Sequence, residues 1–313
     1  MPLDKDNRVL FERVMAARGE PLYKLPVAVA RAAYGRLGGL CPAGPAMLRV
    51  LDLEMPTREG AIRLRVLIPC ERVRGIIVYY HGGGWVLGSI DEFDAVARKL
   101  AQRSGCAVCM VDYRLAPEHP FPAAVDDAYA AVAWISDNAK ALVGTDVPIV
   151  VAGDSAGGNL AAVITQRACA RSGPPIALQV LVYPVTQPDC DGSSYHDPDR
   201  QVLLTRESMR WFWEQYVPNA ADRSHHEVSP LYAESLRGLP PALVITAECD
   251  PLREEGEEYA ARLEKDGVPV RLRRFAGQMH GFFQLVEVLP MSALAIDEIV
   301  AAIDSTLPRQ RIG

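Results

Sequence analysis

Residues 153–157 read Gly153-Asp154-Ser155-Ala156-Gly157 and directly follow the apolar run Val147-Pro148-Ile149-Val150-Val151-Ala152. A G-x-S-x-G placed between a strand-like and a helix-like segment requires a turn so tight that its serine takes a strained backbone conformation. Side chains two positions to either side would collide with neighbouring backbone, so glycine stands there. The turn lifts the Ser155 hydroxyl above the carboxyl edge of a parallel sheet. It also sets the first amides of the following helix beside any anion that develops there.

A second glycine-rich turn, His81-Gly82-Gly83-Gly84-Trp85, follows the apolar run Ile76-Ile77-Val78-Tyr79-Tyr80. Alone, three glycines after a strand make a flexible turn. Paired with the serine turn they acquire a purpose, because acyl transfer builds negative charge on a carbonyl oxygen and backbone amides stabilise it. The N–H groups of Gly83, Gly84 and Ala156 are the candidate oxyanion donors.

A serine hydroxyl is a poor nucleophile at neutral pH, so a base and a group to orient it must follow. On this kind of elbow the chain order is serine, acid, histidine. The histidines beyond Ser155 are His196, His225, His226 and His280. His280, in Gly277-Gln278-Met279-His280-Gly281-Phe282, comes just after the alternating strand candidate Val270 to Phe275. The other three lie in polar stretches with no strand before them, and His225-His226-Glu227 makes only a thin case for a metal. His280 is the expected base, and no metal is expected. For the acid, Asp250 leaves the buried strand candidate Ala242 to Thr246 ahead of Pro251. Its rivals are Glu248 and Glu254, the latter in a charged run that reads as the first turn of a helix.

Strand-like and helix-like runs alternate along the chain. Met47 to Leu53 and Ile62 to Ile68 read as an opening hairpin. Strands near 75–80, 106–112, 147–152, 178–183, 242–246 and 270–275 are interleaved with helices near 92–104, 123–139, 158–170, 255–266 and 292–304. Such alternation predicts an α/β fold with a mostly parallel sheet covered on both faces. Two segments break it. Asn7 to Leu37 has apolar residues at helical spacing. Between Asp189 and Glu227 a polar loop leads to Leu203-Leu204-Thr205 and an aromatic helix near Arg206 to Tyr216.

With 313 residues, 49% of them apolar, the chain can bury a large core as one domain with insertions. A net charge of −6 and a pI near 5.6 argue against nucleic acid or an anionic membrane as partner. The start, Met1 to Asp6, is charged and lacks a signal core. The longest stretches without formal charge, Gly75 to Ile90 and Ser172 to Pro188, are broken by Gly and Pro, so no integral membrane association is expected. Seven cysteines, an odd and irregularly spaced set, suit a reducing compartment, the cytoplasm. Cys106 and Cys109 are three apart on a strand candidate and face opposite sides, which disfavours a joint metal or redox role.

The chain resembles the hormone-sensitive lipase family of α/β-hydrolases, the bacterial family IV esterases. Matching pieces are His81-Gly82-Gly83-Gly84-Trp85, Tyr113-Arg114-Leu115-Ala116-Pro117-Glu118-His119, Gly153 to Asn159, Asp250-Pro251-Leu252 with Glu255-Gly256, and His280-Gly281-Phe282. The resemblance implies an α/β-hydrolase fold and a carboxylesterase with Ser155 as nucleophile, His280 as base and Asp250 orienting it, needing no cofactor. It implies a helical cap built from residues 1–45 and 189–227 on a core of 46–188 and 228–313. Trp85, Leu204 and Phe282 are expected pocket-lining residues, and a small-molecule ester of short to medium acyl chain is the expected partner. A homodimer is left open. Amides, lactones and carbamates remain alternative substrates of the same machinery. A non-catalytic receptor, as the plant gibberellin receptor of this family, would have lost the histidine that stands here at position 280.

Overall fold

The computed structural model describes residues 3–17 and 19–307. An antiparallel pair, β1 (Arg49–Thr57) and β2 (Gly60–Ile68), precedes β3 (Ile76–Tyr80), β4 (Ala107–Val111), β5 (Ile149–Asp154), β6 (Ile176–Val182), β7 (Ala242–Cys249) and β8 (Val270–Met279). These form one eight-stranded sheet in the order β1-β2-β4-β3-β5-β6-β7-β8. β2 pairs antiparallel with β1 and β4, and every later pairing is parallel. The helices are α1 (Lys5–Ala17), α2 (Val27–Gly38), α3 (Asp94–Ser104), α4 (Ala123–Val143), α5 (Ala156–Ala170), α6 (Arg206–Tyr216), α7 (Arg253–Lys265) and α8 (Pro290–Thr306).

The central strands read as continuous apolar runs because helices cover both faces. Ile76, Val78 and Tyr80 of β3 join the core formed with α4, α5 and α7. Ile77 and Tyr79 join the opposite core, formed with α3 and α8. The same alternation on and next to β4 puts Cys109 in the first core and Cys106 in the second, both buried. No helix among the described residues is long and apolar enough to cross a membrane.

The alternation in Val270 to Phe275 does not sort into an inner and an outer face. Residues 271–274 are all exposed because β8 is the edge of the sheet, and its arginines pair with Glu257 and Glu298. The strand also runs on to Met279. The long helical segment at the N-terminus is two helices, separated by a turn at Leu22–Lys24 between Pro21 and Pro26. α6 begins at Arg206 because the Thr205 hydroxyl accepts the Ser208 amide at 3.2 Å, satisfying one of the helix's free donors.

The register aligns the strand exits. Tyr80 pairs with Gly153, Asp154 with Val182, and Cys249 with Met279. The loops after β3, β5, β7 and β8 therefore leave the sheet on one carboxyl edge, where open α/β sheets bind their ligands.

Candidate active site

Ser155 has φ 56° and ψ −119°, a conformation an L-residue holds at a cost of about 1–3 kcal/mol. The glycines make it feasible: a Cβ at Gly153 would run into the Gly157 carbonyl, and one at Gly157 into the Tyr80 carbonyl. The Ser155 amide is tied to Val182 O at 2.8 Å.

The side chains of Ser155, His280 and Asp250 form one hydrogen-bonded chain. His280 Nε2 lies 3.0 Å from Ser155 Oγ, and Nδ1 lies 2.7 Å from Asp250 Oδ2. An ionised carboxylate can only accept, so Nδ1–H donates to Asp250 and Nε2 is left to accept from the serine hydroxyl. Asp250 is fully buried, and its Oδ1 accepts the Leu252 amide at 2.9 Å. The Tyr183 ring packs against the imidazole at 4.6 Å. The rival acids lie elsewhere: Glu248 accepts the Gly277 amide at 2.7 Å, and Glu254 binds Ser193 and Arg200. His196, His225 and His226 are exposed.

Gly83 and Gly84 border the same cavity as Ser155 and His280. Among the described residues, none accepts a hydrogen bond from the amides of Gly83, Gly84 or Ala156. Both glycines have positive φ, 113° and 62°. The loop is braced from several sides. Asp154, buried under it, accepts the Gly82 amide at 3.0 Å and the Tyr79 hydroxyl at 2.6 Å. Burial pushes the Asp154 carboxyl up to about 6. His81 is buried and stacked on Tyr113, and burial lowers its pKa. From α2, Arg31 reaches Val86 O at 2.8 Å and Ala116 O at 3.0 Å while pairing with Glu118. The proline-rich stretch after Tyr113 thus braces the glycine loop, as Ala116 N donating to Trp85 O at 2.9 Å also does.

A cavity of about 890 Å³ opens above Ser155. Leu10 and Val14 of α1, Tyr34 of α2, and Leu204, Trp211 and Phe212 at α6 line it. Of the three residues expected at the pocket, Leu204 lines this cavity. Trp85 and Phe282 do not. Trp85 is fully buried, stacked on Tyr216 at 4.1 Å and tilted against Trp213 at 5.0 Å, so its ring anchors the glycine loop to α6 rather than facing ligand. Phe282 turns under the His280 loop against Tyr183 and Phe275, because apolar surface below the sheet edge is available to it.

Sequence reasoning assigned no role to two neighbours of this site. Arg31 carries no local signal, being one arginine on a helix. Glu255, which the sequence offers only as part of a matching Glu255-Gly256 in the charged first turn of a helix, is buried beneath the Asp250 loop. It accepts the amides of Thr186 at 2.7 Å and Gln187 at 3.3 Å, and the Tyr195 hydroxyl at 3.1 Å. Burial, aided by the charge of Asp250, outweighs those bonds and pushes Glu255 from 4.5 up to about 8. Between these values the unfolded chain has lost a proton that the folded one keeps, so stability falls as pH rises through that window. Glu255→Gln keeps an acceptor oxygen and does not titrate. Its stability relative to the parent is expected to improve steadily from about pH 4.5 to about pH 8. Urea midpoints of both proteins across that range decide it; a constant difference would refute the buried, protonated carboxyl.

A family model described as the alpha/beta hydrolase fold matches residues 77–284. The "Carboxylic ester hydrolase LipN" of Mycobacterium tuberculosis is 40% identical over 289 residues, spanning 89% of this chain and 77% of that protein. The "Ethyl acetate hydrolase" of Pseudomonas putida is 35% identical over 98% of this chain and 100% of its own length. The solved hyperthermophilic esterase of the archaeon Pyrobaculum calidifontis superposes with a TM-score of 0.91 at 42% identity, covering 97% of this chain and 99% of that one. By fold, motif order and likeness to these proteins along nearly its whole length, the chain belongs to the alpha/beta hydrolase family, in the hormone-sensitive lipase-like branch of carboxylic ester hydrolases.

Proposed function

We propose that the protein is a serine carboxylesterase in which Ser155 attacks, His280 serves as base and Asp250 orients the imidazole. One observation carries the reading: the chain from Asp250 through His280 to Ser155, at 2.7 and 3.0 Å, opens on a largely apolar cavity. His280 takes the Ser155 proton as the oxygen adds to the ester carbonyl. The amides of Gly83, Gly84 and Ala156 receive the oxyanion, and each such donor supplies roughly 3 kcal/mol to the transition state. Collapse expels the alcohol, which leaves with the proton from His280. Water then hydrolyses the acyl-enzyme by the same route.

Residues 1–45 and 189–227 act as a cap in this reading, since α1, α2 and α6 supply Leu10, Tyr34 and Phe212 to the cavity wall. A space of about 890 Å³ takes one drug-sized molecule, which favours short- to medium-chain acyl esters over bulk triglyceride. The name of the ethyl acetate hydrolase among its relatives supports a short ester. Seven free thiols, two of them exposed, favour a reducing compartment, the cytoplasm.

The substrate class is tested with p-nitrophenyl esters from acetyl to palmitoyl, together with matched amides and lactones. The expected profile peaks at short or medium chains, shows no jump at an emulsion interface, and leaves amides and lactones slower. A rate that climbs to the longest chain would overturn the substrate class, and faster turnover of amides or lactones would transfer the function to them.

A further inference from the structure

The sheet alone does not hold the strand end that delivers His280. β8 follows β7 in register up to the pair Ala247 and Phe275, the ladder then slips, and pairing resumes at Cys249 and Met279. Ala276, Gly277 and Gln278 therefore bulge opposite Glu248, with Gly277 at φ 69°. A bulge unpairs backbone groups and re-aims the side chains that follow it. Here the strand ends at Met279, and the next residue is His280.

The partners missing from the ladder come largely from the N-terminus. The Asp4 amide donates to Gly277 O at 3.0 Å. The Asn7 side-chain amide donates to Gln278 Oε1 at 2.7 Å, and its oxygen accepts the Met279 amide at 3.3 Å. Gln278 in turn donates to Asp4 Oδ2 at 2.5 Å, and Asp4 Oδ1 accepts the Asn7 amide at 2.8 Å. Glu248 supplies the remaining acceptor, for the Gly277 amide at 2.7 Å. The fit is close: a Cβ on Gly277 would stand 2.9 Å from Asp4 N. Asn7, Gln278 and Met279 are completely buried. Burying two amide side chains is costly unless each is hydrogen-bonded, and an apolar pair would dock a helix as firmly without that cost. The bonds fall on the residues immediately before the imidazole.

We infer that Asn7 is a positioning residue for His280, and that the turn from Asp4 to Asn7 serves as the outer neighbour of the bulge that aims the base. The same helix, α1, presents Leu10 and Val14 to the cavity. The element that walls the substrate therefore also sets the direction of the base, so docking of the N-terminus and competence of His280 go together. This inference rests on the reading of His280 as base.

The test compares Asn7→Ala, Asn7→Asp, Asp4→Ala and His280→Gln in the full chain, on p-nitrophenyl butyrate. Small misplacements of a reacting group cost up to about 100-fold. Asn7→Ala is expected to lower kcat by about 10- to 100-fold with KM changed by less than about threefold. The low-field proton resonance of the His280–Asp250 bond should broaden in the same protein. Asn7→Asp keeps the oxygen for the Met279 amide but sets its second oxygen against Gln278 Oε1 and Asp4 Oδ1, so it should lose at least as much. Should Asn7→Ala not fold, Asp4→Ala, which keeps the backbone bond to Gly277, carries the same expected split between kcat and KM. A folded Asn7→Ala or Asp4→Ala protein with native kcat and an unchanged resonance overturns the inference. His280→Gln separates the two readings: if it is inactive while Asn7→Ala is native, only the positioning role fails, and if it keeps turning over, the base assignment fails instead.

Discussion

Ser155→Ala is expected to lower turnover of p-nitrophenyl butyrate by about a million-fold while leaving the thermal midpoint within a few degrees of the parent. The size follows from the loss of the nucleophile, which no neighbouring group replaces at 3.0 Å from His280 Nε2. The stability follows from the elbow. Alanine has the same Cβ as serine, so the strained φ of 56° is no harder to hold. The turn keeps its backbone bonds, Ser155 N to Val182 O at 2.8 Å and Asn159 N to Ser155 O at 3.0 Å. The hydroxyl's partner is His280, so its removal orphans no buried donor. The cavity and the amides of Gly83, Gly84 and Ala156 survive, and substrate binding should persist with a small residual rate. A fluorophosphonate probe provides an independent readout, labelling the parent and sparing the variant. Near-native hydrolysis by a folded Ser155→Ala protein would sink the assignment of the nucleophile.

What could be read from the chain divides along a physical line. Features enforced by local backbone geometry were legible. The glycines at 153 and 157 are there because any Cβ meets a carbonyl, and the run before each turn is apolar because its strand is buried on both faces. α6 was legible from its aromatic residues, and the Thr205 cap seen in the structure fixes where it begins. Features set by tertiary packing were not. Trp85 follows the glycine loop in sequence, which places it near the substrate, but stacking on Tyr216 recruits its ring into the anchor of that loop. β8 alternates in composition yet is exposed along its outer half, because position at the sheet edge overrides pattern. The Asp4–Asn7–Gln278 network joins residues some 271 positions apart, and no local periodicity encodes such a contact. Glu255 belongs to a run that reads as the charged first turn of a helix, and its burial comes from the approach of the Thr186 loop and Tyr195, which that run does not encode.

Asp250→Asn separates orientation from charge in the proposed mechanism, and it is expected to lower kcat by about 10⁴-fold with little loss of stability. The direction follows from where the two carboxylate oxygens point. Oδ1 accepts the Leu252 amide at 2.9 Å, a bond made by a fixed backbone donor. An asparagine must keep its carbonyl oxygen on that donor, because its amino group there would face another N–H. The amino group is then left facing His280 Nδ1, where Oδ2 had stood at 2.7 Å. That nitrogen must become the acceptor, so the ring proton moves to Nε2 and points at Ser155 Oγ. An imidazole in this tautomer cannot take the serine proton. The side chain remains the same size and stays hydrogen-bonded on both sides, which is why the fold is expected to survive. Two readouts check the argument: kcat on p-nitrophenyl butyrate, and loss of the low-field proton resonance of the His280–Asp250 bond. A folded Asp250→Asn protein that loses less than about tenfold would mean that the imidazole takes its tautomer from another source.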